Sequence, residues 1–285
     1  MRRKAYASLL AVLCGLVFTG PCRAGETAAR YSFGVLPQRS IVLTAQYWNP
    51  ILEYVARVAD VGLDLKVART GTESAEAVGR GDYDFVYSNH MFQPRLATAN
   101  YQVILRPQED AITGQLVTLA DSPINSLHEL AGKDVGFPSA AAFAGYALPM
   151  DHLLQLGITV TPVFGSNQEG IMAQLKAGMV IAAGVNSQAM RDYASRENLH
   201  YRVLWESSRF LNIPIAAHPR VPKAVVAAVR KALDDMDNNA EGMRILESSA
   251  RLIGQKPPYG FRAASPSDYR NYTDFYRSTL LKEFK

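Results

Sequence analysis

Cysteine is absent from residues 25–285; the two in the chain, Cys14 and Cys22, both fall within the first 24 residues. Disulfides, thiolate metal sites and cysteine nucleophiles are therefore excluded from everything downstream. A surplus of charge is missing there too. The chain holds 30 Lys and Arg against 26 Asp and Glu, and Arg2, Arg3, Lys4 and Arg23 account for the difference, with no acid beside them. A balanced remainder gives no footing for a nucleic-acid partner. Histidine is scarce, and His128, His152, His200 and His218 stand singly, without the His-x-x-x-His spacing of a metal-binding helix. There is no Gly-x-Ser-x-Gly elbow and no Gly-x-x-x-x-Gly-Lys phosphate loop. Asp82 and Asp84 flank Tyr83, but a turn followed by a strand explains them. No metal, cofactor or catalytic activity is expected.

Long apolar runs are also lacking, with one exception. Ala5–Phe18 follows the basic start Met1-Arg2-Arg3-Lys4 and is broken by Thr19-Gly20-Pro21. It is shorter than the roughly 20 residues a membrane-spanning helix requires. With the small residues of Cys22-Arg23-Ala24 behind it, the segment reads as a secretory signal, residues 1–24, cleaved after Ala24. A lipid anchor on Cys22 is the competing reading, and Pro21 directly before the cysteine suits it poorly.

What is present is alternation. Short apolar runs expected as strands (Tyr31–Leu36, Leu63–Ala68, Asp84–Tyr87, Gln115–Leu119, Asp134–Phe137, Thr159–Phe164, Val180–Val185) are separated by amphipathic stretches expected as helices. Among these are Ala45–Ala59, Glu73–Gly79, Met91–Thr98, Gly145–Leu156, Glu169–Ala177 and Gln188–Glu197. This is the pattern of an α/β protein. Ser126 with Glu129 three residues on has capping-box spacing. Two segments share a plan: Gly81-Asp82-Tyr83-Asp84-Phe85-Val86-Tyr87-Ser88-Asn89 and Gly178-Met179-Val180-Ile181-Ala182-Ala183-Gly184-Val185-Asn186. In each a helix stops at glycine, a strand follows, and an Asn stands where the next helix starts, placed to cap it and to face the strand's carboxyl end. Each closes a series of three strand-helix units, which predicts two similar lobes with ligand between their strand ends.

Phe33-Gly34-Val35-Leu36-Pro37, Trp48-Asn49-Pro50-Ile51, Gly81-Asp82-Tyr83-Asp84, Ala120-Asp121-Ser122-Pro123-Ile124, Leu127–Lys133, Gly145–Pro149 and Ile213–Ala217 together resemble, in order and spacing, the phosphate, phosphite and phosphonate-binding proteins of ABC transporters. The resemblance runs from about residue 31 to 235. It implies a two-lobed periplasmic-binding-protein fold, each lobe a mixed sheet flanked by helices, joined by two hinge strands. Lobe one would comprise residues 25–115 and 213–285, and lobe two residues 116–212. It further implies a periplasmic, monomeric protein that captures a small anion between its lobes for an ABC permease. The alternative is a sensor whose closed form binds a membrane histidine kinase.

The departures bear on the cargo. The family's turn Ser-Thr-Ser-Gly-Tyr falls on Ala142-Phe143-Ala144-Gly145-Tyr146, its next-turn His near Asn167-Gln168, and its Asp on Ile181. A hydrogen bond to a charged partner contributes about 1.5–3 kcal/mol, whereas a micromolar complex holds only about 8 kcal/mol in total. Loss of three hydroxyls argues against a phosphonate held in the usual way, and for a smaller, less charged or partly apolar ligand.

The strand-end turns supply the candidate ligand-binding residues: Ser40, Thr70, Thr72, Tyr87, Ser88, Asn89 and His90 in lobe one, and Ser139, Phe143, Tyr146, Ser166, Asn167 and Asn186 in lobe two. Helix starts there offer N–H groups to an anion. Each has a plainer reading. Thr72 serves as a cap alone, Tyr87 as strand core, His90 as cap or surface, Phe143 as lid or core. Arg39, the only cation in these turns, is either a solvated loop charge or an anion's partner, and Glu169 answers a helix dipole.

Overall fold

The computed structural model describes residues 29–284, so the expected signal lies outside the described residues. The strands form two sheets. The first holds β1 (Arg30–Val35), β2 (Gly62–Val67), β3 (Phe85–Tyr87), β4 (Gln102–Pro107), β10 (Ile215–Ala217) and β11 (Phe261–Ala263), in the order β11-β4-β10-β3-β1-β2. The second holds β5 (Gly114–Leu119), β6 (Asp134–Phe137), β7 (Thr161–Phe164), β8 (Ala182–Asn186) and β9 (Tyr201–Glu206), in the order β7-β6-β8-β5-β9. In each sheet one strand pairs in parallel with two neighbours: β1 with β2 and β3, β6 with β7 and β8. Parallel neighbours require crossover helices, which bring helix starts and strand ends to one edge. That edge of each lobe faces the other.

The helices follow the apolar spacing. Helix α1 (Ile41–Ala59) buries Trp48, Ile51, Leu52 and Val55 at i, i+3, i+4 and i+7, starts at the Ser40 cap, and stops at Asp60 in the left-handed region. Helix α2 (Gly71–Arg80) ends at Gly81 with φ 72°, and α4 (Gln168–Lys176) and α5 (Ser187–Glu197) take the corresponding places in the second lobe. Three segments depart from expectation. The helix expected at Met91–Thr98 is two short 3₁₀ turns, His90–Phe92 and Pro94–Ala99, because Pro94 cannot continue the first. Ser126 and Glu129 do join, Oγ to Oε1 at 2.9 Å, but over a single 3₁₀ turn. The helix expected from Gly145 opens earlier, as a wide π-turn, Phe143–Ala147, running into α3 (Leu148–Gln155).

Residues 108–113 and 207–214 carry the chain between the sheets. Ile112 and Phe210 exchange backbone hydrogen bonds of 2.7 and 2.8 Å, so the two crossings form a short ribbon. After α6 (Lys223–Asp234), α7 (Ala240–Ile253) and β11, the chain leaves lobe one again. Residues 269–284, expected with lobe one, pack chiefly on lobe two. Helix α8 (Arg270–Ser278) places Tyr272 against Phe143 with ring centroids 4.2 Å apart, and Tyr276, Phe275 and Phe210 complete the cluster. Thr279 Oγ1 and the Leu280 N–H both bond Asp151 Oδ1, and Tyr146 donates to Glu283 at 2.8 Å. The strap also reaches lobe one, where Phe92 stacks on Tyr269 and Tyr272. Helix α8 carries Tyr272, Phe275 and Tyr276 at i, i+3 and i+4, and a helix so patterned must bury that face somewhere; the open flank of the π-turn receives it. Phe143→Ala empties the centre of this cluster and is expected to destabilise the protein by about 3–5 kcal/mol, measured by urea unfolding.

Candidate functional site

A cavity of about 30 Å³ lies between the lobes, at the carboxyl ends of the parallel strands. Lobe one contributes Leu36, Pro37 and Gln38 after β1, Gly71 at the start of α2, and Asn89 after β3. Lobe two contributes Pro138, Ser139 and Ala142–Ala144 after β6, Ser166–Gln168 after β7, and Asn186 after β8, with Ile213 of the crossing ribbon behind. No lining side chain is charged. The polar ones are mostly carboxamides: Gln38, Asn89, Asn167, Gln168 and Asn186.

Caps decide which N–H groups remain for a ligand. Thr70 Oγ1 accepts from Glu73, Asn167 Oδ1 from Gly170, and Asn186 Oδ1 from Gln188 and Ala189. The acceptor end of Asn186 is thus fully engaged and that of Asn167 half engaged, which leaves their NH₂ ends as the freer groups for a solute. Gln168 is buried, and its Oε1 accepts the Asn186 N–H at 3.2 Å. The π-turn is different. Ala142 has no acceptor to offer at its cap position, and Phe143, Ala144, Gly145 and Tyr146 are all buried. A buried helix start without caps needs some other acceptor for its first N–H groups. Gly145 stands at the tightest point, where a Cβ would lie 2.6 Å from Pro138 and from the Gln168 amide.

Of the residues expected at the site, Asn89, Ser139, Phe143, Ser166, Asn167 and Asn186 line the cavity. Phe143 does so with its edge, since its ring is enclosed by Tyr272, Phe210, Phe275 and Tyr276; it is core. The others stand elsewhere. Ser40 is an exposed cap accepting from Leu43, Thr70 rather than Thr72 caps α2, and Thr72 is exposed. Tyr87 packs on Trp48 at 5.0 Å, and Ser88 accepts from the His90 N–H. His90 is fully buried, and burial pushes its pKa down to about 3, so it is neutral with both ring nitrogens unpaired. Tyr146 is held by Phe137, Phe164 and Glu283, away from the cleft. Arg39 is neither solvated nor aimed at the cavity: it crosses to Asp192 of α5, 3.7 Å away. Gln38, Gly71 and Gln168, which belong to the same strand-end turns, line the cavity as well.

The lobes touch around the cavity. The Glu169 N–H donates to Gln38 O at 3.1 Å, Gln93 Nε2 to Ala141 O at 3.2 Å, and Ala75, Leu96 and Ala141 form a small apolar seam.

The family of periplasmic substrate-binding proteins of ABC phosphonate transporters matches residues 33–269. The chain belongs to this family. Its members are substrate-binding proteins of ABC transporters and work outside the cytoplasm. A binding component of an ABC phosphonate transporter from Pseudomonas aeruginosa is similar in structure: TM-score 0.75, 14% identity, 87% of this chain and 85% of that one covered. PhnD1 from Prochlorococcus marinus, solved with methylphosphonate, gives TM-score 0.75 at 16% identity, over 87% and 97% of the two chains. The chain is also 27% identical over 173 residues to the tetrathionate sensor histidine kinase TtrS of Salmonella typhimurium, over 55% of this chain and 27% of the kinase. Thus the chain spans about a quarter of that relative's length. No described helix is long and apolar enough to cross a membrane.

The family's closing motion implies a steric test. A Cβ at Gly71 would overlap Ser139 Oγ across the cleft. Gly71→Ala is therefore expected to prop the lobes apart and raise the radius of gyration in small-angle scattering, and Ser139→Gly in the same chain is expected to reverse it.

Proposed function

We propose that this binding protein captures a small solute of single negative charge and delivers it to an ABC permease. The observation that carries this reading is the buried, uncapped start of the π-turn, whose residues Ala142–Ala144 line a cavity without charged side chains. One helix start favours an anion by up to about 2 kcal/mol when partly buried. That suffices for one charge in a neutral site but not for two, because a buried charge without a partner is costly. Ala142 and Ala144 put methyl groups where the family resemblance implies hydroxyls, so the side-chain oxygens for a dianionic head are missing. At about 30 Å³ the cavity has room for about two waters. The protein binds without turnover, as a monomer in the periplasm, after loss of residues 1–24.

A second reading draws on the likeness to a sensor kinase: the closed lobes are presented to a membrane histidine kinase rather than to a permease. Both readings use the same closure, since a ligand that bridges the lobes favours the closed state by its differential affinity. Co-purification from membranes with a permease or with a kinase separates them.

A thermal-shift panel tests the ligand class. A solute at 100 times its dissociation constant adds about 2.7 kcal/mol. Monoanionic sulfonates and carboxylates are expected to raise the melting temperature more than sulfate or phosphate do. If the dianions act more strongly and Ser139→Ala abolishes their effect, the reading is overturned.

A further inference from the structure

Beside the cavity, across Gln38, lies a second chamber bounded by Arg39, Tyr47, Tyr87, Glu109, Gln188 and Asn212, and it contains the charges that the ligand cavity lacks. Arg39 comes from the β1–α1 turn, Asp192 from α5 of the other lobe, and Glu109 from the first crossing segment. Arg39 and Asp192 approach to 3.7 Å with 17% and 8% of their side chains exposed. Asp192 Oδ2 has no hydrogen bond of its own. Glu109 is held by neutral donors only: the Asn212 amide, itself bonded to Gln188 Oε1, and the Gln255 amide, whose Oε1 receives the Tyr47 hydroxyl. One guanidinium thus stands near two carboxylates, Glu109 lining the chamber and Asp192 the adjoining groove, where the two lobes meet.

We propose that closure is held by an inter-lobe latch, Arg39 to Asp192, whose grip is weakened whenever Glu109, buried beside it, carries its charge. Asp192 and Arg39 then set affinity without touching the solute, by setting how much of the protein is closed. Glu109 opposes them: burial and the Asp192 charge both push its pKa up, and the Arg39 charge only partly offsets them. Asp192 is likewise raised by burial, with Arg39, Arg191, Arg196 and Lys256 acting against that. The other titratable groups facing Glu109, Tyr47 and Tyr87, are pushed up by burial and stay neutral, and Asp110, Arg191 and Lys256 line the groove outside. The sign follows. Opening returns Glu109 to water and lowers its pKa, so the closed form holds a proton that the open form releases, and falling pH favours closure.

Small-angle scattering of the purified protein without added solute reads this directly. Wild type is expected to become more compact as the pH falls from neutral, as the raised carboxyl takes up its proton. Glu109→Gln is expected to be compact throughout, with that pH profile flattened. Asp192→Asn is expected to be more open at neutral pH, with Asp192→Glu restoring closure; if Asp192→Asn fails to fold, Arg39→Gln carries the same expectation. The solute arm rests on the monoanion reading and uses methanesulfonate, whose charge is constant over this range. Its affinity for Asp192→Asn is expected to fall by about fivefold or more, mostly through faster release. An unchanged wild-type pH profile in Glu109→Gln, or unchanged compactness in Asp192→Asn, overturns the latch. Failure of methanesulfonate to bind wild type while scattering behaves as stated overturns the ligand reading and leaves the latch standing.

Discussion

The stack of Phe143 on Tyr272 is the contact on which the site depends. It draws the first turn after β6 outward into the aromatic cluster and holds the C-terminal strap on lobe two. Aromatic pairs contribute about 0.5–1.5 kcal/mol beyond their burial, and Phe143 has four such neighbours. A turn anchored on its outer side by a large ring can present only backbone and small side chains on its inner side. The methyl-lined cradle and the buried cluster are therefore one feature seen from two faces. Substituting hydroxyls at Ala142 and Ala144 alone would not recreate a phosphonate site of the usual kind, because the residue between them remains committed to the core.

Much of the fold was legible in the sequence. The strand-helix alternation, the two lobes and the cavity at the strand ends follow from local periodicity and from the paired glycine-strand-asparagine segments. Asn186 caps α5 as its position suggested, and Asn89 reaches the cavity although its side chain caps nothing. What was not legible depends on partners far along the chain. Phe143 reads equally as lid or core until Tyr272 is placed against it. Arg39 reads as a free cation until Asp192 arrives from the other lobe. Thr70 and Thr72 are both plausible caps two residues apart, and only the backbone at Thr70, extended with φ −133°, makes it the one. Strand β11 is three residues long and exists because β4 offers an edge.

In the functions proposed for them, the two chambers divide the work of binding. The neutral one would take the solute, and the charged one, lying to the side, would bear on the equilibrium between open and closed lobes. Gln38 borders both, and its carbonyl accepts the Glu169 N–H across the cleft, so one peptide links recognition to closure.

The strap also constrains the order in which the chain acquires structure. Lobe two is contiguous from β5 to β9, yet Phe143, Tyr146 and Phe210 find part of their cover in residues 269–284. Lobe one likewise waits for β10 and β11 to complete its sheet. The lobe-one sheet is complete at β11, whereas the aromatic cover of lobe two is complete only with the residues beyond it. A loss of only the final residues would therefore uncover lobe two, the lobe that is contiguous in the chain, and leave the sheet of lobe one whole.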